Sequence, residues 1–593
     1  MLKVENLISR NRYWIANGVL YLVIMILISR FYYLQVYHHK DFSLKADINR
    51  IRAVTIPAPR GLILDRNGEI LVDNYPTYIL YGITSEMSSV NQKFKLISQV
   101  TGIDTSILYK NYRNYFQSRF VPTQLAKDLT FKQLSRVEES KNELDGVVYK
   151  QFPERIYNRN VRAAHVLGFV REIDSKTLKK MKANALYEIG DLIGWNGLEK
   201  QYESVLRGIK GVNYYQVDAL GREAGLVPNQ GIVLPQPGKN LQTTLDINLQ
   251  SLLEDKFRDF KGAAIASDPL TGEIMAFVSS PDYPPDLFRG LVAEDDWNAI
   301  LKDPDRPLLN RITSGTYPPG STFKMVVAAA LIEQGLASPS YKVTCTGSYI
   351  LGDRTFRCWN PAGHGEVDLE QAIVQSCNVF FYKAVQQLDI NTLAIVAKSF
   401  GFGSPTKIDL PSESVGKIPD RRYMNRLYGR WGWAKGNLLN ISVGQGEVLV
   451  TPLQMLVYIN QFATRGHAPY LYLTGFNQTE QQFYNAPPLG QTTWQRLEKY
   501  MRAVINDPKG TGTAANPHIP GVEIAGKTGT AENPHGDPHA WFVGYAKKGT
   551  KFLSVVLLIE NGGHGGTIAA PIAREVFKTY FNPDSETMAS VTW

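Results

Sequence analysis

Cysteine is nearly absent: there are three in 593 residues, all between positions 345 and 377. Any disulfide or thiolate site is therefore confined to that one stretch. Dense runs of lysine or arginine are missing too, although the formal net charge is +9. The basic residues are scattered and no nucleic-acid-binding module is in view. The excess charge thus points to work beside an anionic membrane or wall polymer, and no nucleic acid is expected as a partner. Long internal repeats and low-complexity tracts are also lacking. With 44% hydrophobic and 20% charged residues, the composition is that of an ordinary folded chain, long enough for two or three domains.

Long apolar runs are absent except for one. Tyr13 to Tyr37 reads "YWIANGVLYLVIMILISRFYYLQVY", with Arg30 as its only charge. Trp14–Ser29 alone is short for a bilayer span, and Phe31–Tyr37 completes it if Arg30 snorkels or finds a partner helix. Aromatic residues at both ends suit the membrane interfaces. A cleaved signal peptide is the rival reading, but the bulky "FYYLQVYHH" offers no small-residue cleavage pattern. Lys3, Arg10 and Arg12 favour a cytoplasmic N-terminus. The expectation is a tail over 1–12, an uncleaved anchor over 13–37, and the bulk of the chain periplasmic, outside the inner membrane.

After the anchor, "IPAPRGLILDRNGEILVDNYPTYILY" (Ile56–Tyr81) reads as a hairpin turning at Asn67-Gly68. Residues 91–188 mix short helical and strand patterns. "GWNGLEKQYESVLRGIKG" (Gly194–Gly211) carries a helical stripe of Leu198, Tyr202, Val205 and Leu206. The Pro/Gly-rich Val227–Asn240 marks a boundary, dividing 38–235 from 236–593. Beyond it, a helix capped at Asp246 or Asn248 precedes two strands around Asp268–Gly272. A helical middle spans Gly320 to about Gly401. Three late strands, "VEIAGKTGTAE", "HAWFVGYAKK" and "KFLSVVLLIENGG", come before a closing helix. Sheet, helical lobe, sheet and helix predict an α+β domain whose sheet draws on both sequence ends.

Within "YPPGSTFK", Ser321 and Lys324 share a face at the head of an apolar helix. A serine there lacks nucleophilicity until its proton is taken, and a buried amine one turn on can take it. The helix N-terminus also offers free backbone N–H groups. Alone, S-x-x-K is a weak signal, compatible with a helix cap and a surface lysine. Two more motifs follow in order: Ser376-Cys377-Asn378 and Lys527-Thr528-Gly529-Thr530. That triplet is the signature of penicillin-binding proteins and class A β-lactamases.

With "RGLILDRNG", "GLEKQYESVLRGIKG" and the N-terminal anchor, the chain resembles class B penicillin-binding proteins over its whole length. "GHG" before the second motif and "IENGG" near the end bring it close to the penicillin-binding protein 2 group, the elongation transpeptidases. The resemblance implies an anchor helix, a mixed α/β pedestal of dimerisation type, and a transpeptidase domain of antiparallel sheet, flanking helices and an all-helical lobe. It implies that Ser321 attacks the D-Ala-D-Ala carbonyl of a peptidoglycan stem peptide and forms an acyl-enzyme that a β-lactam can trap. Lys324 would be the general base, Ser376 a proton relay and Asn378 a ligand of the substrate amide. Lys527 would supply positive charge; Thr528 and Thr530 would hold the terminal carboxylate, with Gly529 admitting substrate along the strand. The Ser321 and Thr530 N–H groups would form the oxyanion hole. A multi-pass glycan polymerase and elongation scaffold proteins are the implied partners.

Cys345, Cys358, His364 and Cys377 are ligand types for a tetrahedral zinc site, though their spacing matches no standard finger. A disulfide is the rival in an extracytoplasmic protein, and Cys377 as a buried filler is a third reading. In the penicillin-binding protein 2 group, a resembling metal site uses positions matching His364 and Cys377, with Cys345 and Cys358 as replacements for two aspartates. Cys345 is the least secure of the four. His535, His539 and His564 read as surface or cleft-edge residues. The functional alternatives are a division-specific transpeptidase and a D,D-carboxypeptidase. A β-lactamase has no use for the long pedestal, and a penicillin sensor needs more than the dozen residues expected before the span.

Overall fold

The apolar N-terminal run folds as helix α1 (Arg10–Tyr32), continued by a π-helical stretch over Tyr33–Tyr37. Among the described residues it is the one helix long and apolar enough to cross a membrane, over Arg12–Tyr37. The computed structural model describes residues 10–40, 51–173, 175–181, 187–217, 223–227, 232–288, 294–430, 432–476 and 480–582. Most of the expected tail (residues 1–9) and part of the Pro/Gly-rich boundary (228–231) lie outside the described residues.

The chain divides into two compact units. The first comprises Met1–Pro59, Pro76–Pro153 and Gly208–Pro237. In it, strand Ile51–Ile56 pairs antiparallel with Gly211–Val217. Helices Val90–Thr101, Thr105–Tyr115 and Phe131–Glu139 enclose a separate small core of Phe94, Ile97, Leu108, Leu125 and Val137. Asp104 caps the second of these helices and a Thr130–Gln133 capping box starts the third.

The second unit joins Arg60–Tyr75 and Glu154–Arg207 to Gly238–Trp593. The pedestal motif over Arg60–Gly68, and the one beginning at Gly197 as far as Arg207, therefore belong to the same compact body as the catalytic motifs. The Asn67-Gly68 turn is present, with Gly68 at φ 92° and Asp65 Oδ1 accepting from the Asn67 and Glu69 N–H groups. The 197–206 segment forms two short helices that bury Leu198, Tyr202 and Leu206. Their Glu199 is fully buried between two arginines: Oε2 accepts from Arg60 Nη2 at 2.6 Å, and Oε1 from Arg155 Nε at 2.6 Å. Removing one partner strands buried charge, so Glu199→Ala should cost about 3–5 kcal/mol. Denaturant unfolding followed by fluorescence checks this; a change below about 1 kcal/mol would show the cluster to be solvated.

Helix α2 (Ile247–Lys256) begins at Asp246, whose side chain accepts from the Asn248 and Leu249 N–H groups. Strands β1 (Gly262–Ser267) and β2 (Ile274–Ser280) form the first hairpin. Helix α3 (Lys324–Glu333) follows a 3-10 turn over Gly320–Phe323, and α4 (Asn378–Ala384) starts at the second motif. Helices α5 (Pro452–Thr464) and α6 (Gln491–Asn506) precede β3 (Glu523–Ala531), β4 (His539–Lys548), β5 (Lys551–Ile559) and the closing helix α7 (Ala569–Phe581). The five strands form one antiparallel sheet in the order β2-β1-β5-β4-β3. Its members do come from both ends of the domain sequence, as the α+β reading requires. The order leaves β3, the Lys527 strand, at an edge. Such an edge can accept an extended peptide.

The helical lobe also contains strands. Val343–Cys345 pairs with Gly365–Val367, and Ser348–Leu351 with Arg354–Arg357. Each is too short for an alternating pattern to emerge, and the turns are set by Gly347 and Gly352 at positive φ. These ribbons carry the cysteines and one wall of the cleft described next.

Candidate active site

The turn holding Ser321 is fixed before the helix begins. Gly320 donates its N–H to Gly444 O at 2.9 Å and adopts φ +54°. A Cβ there would meet Thr530 O at 2.6 Å, so the Gly320 and Thr530 backbones abut. Thr322 Oγ1 donates to Pro319 O, Tyr458 on α5 donates its hydroxyl to Thr322 O, and Trp541 Nε1 donates to Pro318 O. The turn is thus closed on itself and tied to three other parts of the fold, at Gly444, Tyr458 and Trp541, and Ser321 opens onto the cleft.

Lys324 lies wholly buried one turn on. Its Nζ donates to Asn378 Oδ1 at 2.6 Å, Ser376 O at 2.8 Å and Ser376 Oγ at 3.3 Å. Lys527 on β3 is also wholly buried, and its Nζ donates to Ser376 Oγ at 3.1 Å and Thr528 O at 2.9 Å. Two amines therefore converge on one hydroxyl. Ser376 can present it because its backbone is left-handed, at φ 53°. Burial pushes Lys324 down to about 8, against the smaller opposing pull of the thiols of Cys377, Cys358 and Cys345. Lys527 is pushed well below its ordinary range by burial and then by the Lys324 charge. The pair thus parts with a proton far more readily than exposed lysines do.

This gives a pH prediction. Lys324 is a base only when neutral, and its lowered value makes the neutral form dominant above about pH 8. Acylation should rise with pH to a plateau, with a midpoint near 8, and fall about tenfold per unit below it. Stopped-flow acylation rates from pH 5.5 to 9.5 check this; a flat profile would exclude Lys324 as the titrating base.

The cleft encloses about 1340 Å³ and is lined by Ser321, Ser376, Asn378, Thr528 and Thr530. Gly529 packs beneath: a Cβ there would stand 2.9 Å from Thr322 Cγ2 and 3.1 Å from Pro319 O. The structure therefore brings all the sequence-predicted catalytic and substrate-binding residues to one place. It also gives two of them narrower positions. Asn378 holds Lys324 with its carbonyl and donates Nδ2 to Arg357 O at 3.3 Å, so its amide is largely occupied. Lys527 acts from beneath the surface, through Ser376. Thr511 was not legible in the sequence: its hydroxyl accepts from Thr528 Oγ1 at 2.7 Å, yet it sits in the unremarkable loop "KGTGTAA". Arg357, Trp359 and Tyr382 complete the wall. Trp541 is core, as its strand pattern indicates, and His539 stacks edge-on to Tyr317.

The four candidate ligands also meet. The ligand atoms of Cys345, Cys358, His364 and Cys377 all lie within 4.8 Å of one another. Cys345 Sγ is 3.5 Å and Cys358 Sγ 3.6 Å from His364 Nδ1. Tetrahedral bonds of 2.3 Å to sulfur and about 2.0 Å to nitrogen put neighbouring donors about 3.5–3.8 Å apart, so these residues fit zinc. All three cysteines are free thiols. The Asn378 N–H donates to Cys358 Sγ at 3.4 Å, a contact that favours thiolate. Cys358 is pushed toward thiolate chiefly by a hydrogen bond from Cys377.

Residues 262–578 match the family model described as penicillin binding protein transpeptidase domain, and residues 55–243 the penicillin-binding protein dimerisation domain. The chain belongs to the penicillin-binding protein transpeptidase family. Among curated relatives of this transpeptidase, the peptidoglycan D,D-transpeptidase MrdA of Acinetobacter baumannii is 32% identical over 97% of this chain and 88% of its own. Penicillin-binding protein 2 of Helicobacter pylori, solved in complex with MreC, superposes with a TM-score of 0.79 and 27% identity, covering 90% of this chain and 99% of that one. A chain from a peptidoglycan synthase complex, solved for the coordination of polymerization and crosslinking, gives 0.71 and 29%, over 98% and 100%. The chain is accordingly a class B member of the penicillin-binding protein 2 group.

Proposed function

We propose that this protein is a peptidoglycan D,D-transpeptidase of the elongation type, anchored by α1 with the rest of the chain outside the inner membrane. The observation that carries the reading is the meeting of Lys324 and Lys527 on the Ser376 hydroxyl, beneath a cleft onto which Ser321 opens. Ser321 Oγ attacks the carbonyl between the two terminal D-alanines and its proton passes to Lys324. The Ser321 and Thr530 N–H groups stabilise the oxyanion. The C–N bond breaks, the terminal D-alanine takes a proton from the same amine and leaves, and the donor stem remains as a Ser321 ester. An amine of a second stem then attacks the ester, giving the cross-linking amide and freeing Ser321.

The cleft lining suits an anionic peptide. Arg354 and Arg357 face it, and Glu532 is its single acidic residue among those described. A zinc ion held by Cys345, Cys358, His364 and Cys377 belongs to the same reading. It would play no part in the acyl transfer; its site shares Cys377 with the Ser376–Asn378 turn, so it would fix the geometry of that turn. The polymerase and scaffold partners are proposed by analogy with the complexes of the similar proteins.

The test uses the full chain with a glycan polymerase, lipid-linked pentapeptide precursor and labelled D-alanine. Release of D-alanine coupled to dimeric stems supports the transpeptidase. Release that proceeds equally without an acceptor amine would make it a carboxypeptidase. In cells, depletion should round the rods; filamentation would assign it to division.

A further inference from the structure

We infer that His564 is a substrate-binding residue, whose imidazole N–H shares with the Thr530 hydroxyl the task of holding the terminal carboxylate of the donor stem. The inference rests on the transpeptidase reading and adds a residue outside its three motifs.

The donors at the β3 end of the cleft are few once their bonds are assigned. Lys527 is wholly buried and directs Nζ at Ser376 Oγ and Thr528 O. The Thr528 hydroxyl donates its proton to Thr511 Oγ1. Thr530 and His564, together with the remaining hydroxyl proton of Thr511, are left as donors lining the cleft on this side, and of these Thr530 and His564 stand next to each other. Their Oγ1 and Nδ1 atoms stand 3.5 Å apart. That separation is at the outer limit of a hydrogen bond, so neither group satisfies the other well. Two donors at this spacing match the two oxygens of one carboxylate, and a hydroxyl with an imidazole N–H supplies one bond to each.

The position of His564 is built into the fold. Its carbonyl accepts from Thr567 N at 3.1 Å, Thr567 Oγ1 at 2.9 Å and Ile568 N at 3.2 Å, closing a turn at the head of α7. Gly565 presses this turn onto the active-site sheet: a Cβ there would meet Trp541 O at 2.1 Å and Gly529 O at 2.5 Å. Gly566 approaches Thr511 O in the same way, at 2.5 Å. The turn thus sets His564 beside the Lys527 strand, where its exposed imidazole lines the cleft next to Thr530.

Benzylpenicillin and its methyl ester separate this role from a general one, because only the acid carries the carboxylate. In the full chain, His564→Ala should slow acylation by the acid about tenfold, the usual effect of losing one hydrogen bond to a charged group. Acylation by the ester should change less than about twofold, since that probe offers His564 no anion. His564→Gln keeps an N–H donor and should recover most of the rate with the acid. Equal slowing with both probes, no slowing with either, or a Gln variant as slow as the Ala variant would overturn the assignment. If the unaltered chain takes up neither probe at Ser321, the transpeptidase reading itself fails; a wild-type chain that reacts while the variants show no acid-specific loss rejects the His564 role alone.

Discussion

Replacing Lys324 with methionine should slow acylation by a fluorescent penicillin by about 10³–10⁴-fold while leaving the protein folded. Methionine nearly matches the buried lysine stem, so the change removes the amine without opening a large cavity. Lys324 Nζ is the group that touches both Ser376 and Asn378, and burial has already brought it down to about 8. Among the described residues Lys324 and Lys527 are the only buried lysines. Lys527 reaches the Ser376 hydroxyl from β3 and can repolarise it, which leaves the variant a residual rate above that of the free reaction. The measurement is the second-order acylation constant by stopped flow, with the thermal midpoint as a control. A loss below tenfold would move the base elsewhere.

Stripping metal should be nearly as damaging. The purified chain is expected to carry close to one zinc per molecule, and removing it with a strong chelator should lower stability by several kcal/mol, since structural zinc binding is itself folding free energy. Acylation should fall with it, by about a hundredfold. Cys377 stands between Ser376 and Asn378, and a shift of about 1 Å in catalytic groups is enough for such a loss. Cys377→Ser should reproduce both effects. Elemental analysis, calorimetry and acylation rates check the prediction together. Metal content near zero alongside a mapped disulfide would reject it.

Much of this was legible from short, local signals. Asp246 before an apolar run caps a helix, Asn67-Gly68 between apolar segments turns a hairpin, and the late strands follow from uninterrupted apolar runs. The three catalytic motifs are just as local, and their order alone brings Ser321, Lys324, Ser376, Asn378, Lys527 and Thr530 onto one page. What escaped the sequence is what depends on distant partners. The assignment of Arg60–Tyr75 and Glu154–Arg207 to the catalytic body rests on contacts such as Arg66–Glu273 and Asn196 Nδ2 donating to the Tyr283 hydroxyl. The ribbons over 343–367 have three or four residues per strand, too few for a period to show. Thr511 joins the site only because α6 returns its loop to β3. The left-handed backbone of Ser376 has no signature, because serine is not a residue that advertises positive φ.

The central claim is that one hydroxyl, Ser321, is the nucleophile of this cleft. Incubating the full chain with benzylpenicillin, digesting it and mapping the adduct by mass spectrometry tests that claim directly. The account predicts a single penicilloyl group, on the peptide containing Ser321, and none in a Ser321→Ala chain that is otherwise folded. An adduct on Ser376 or any other residue, or undiminished labelling of the Ser321→Ala chain, would contradict it.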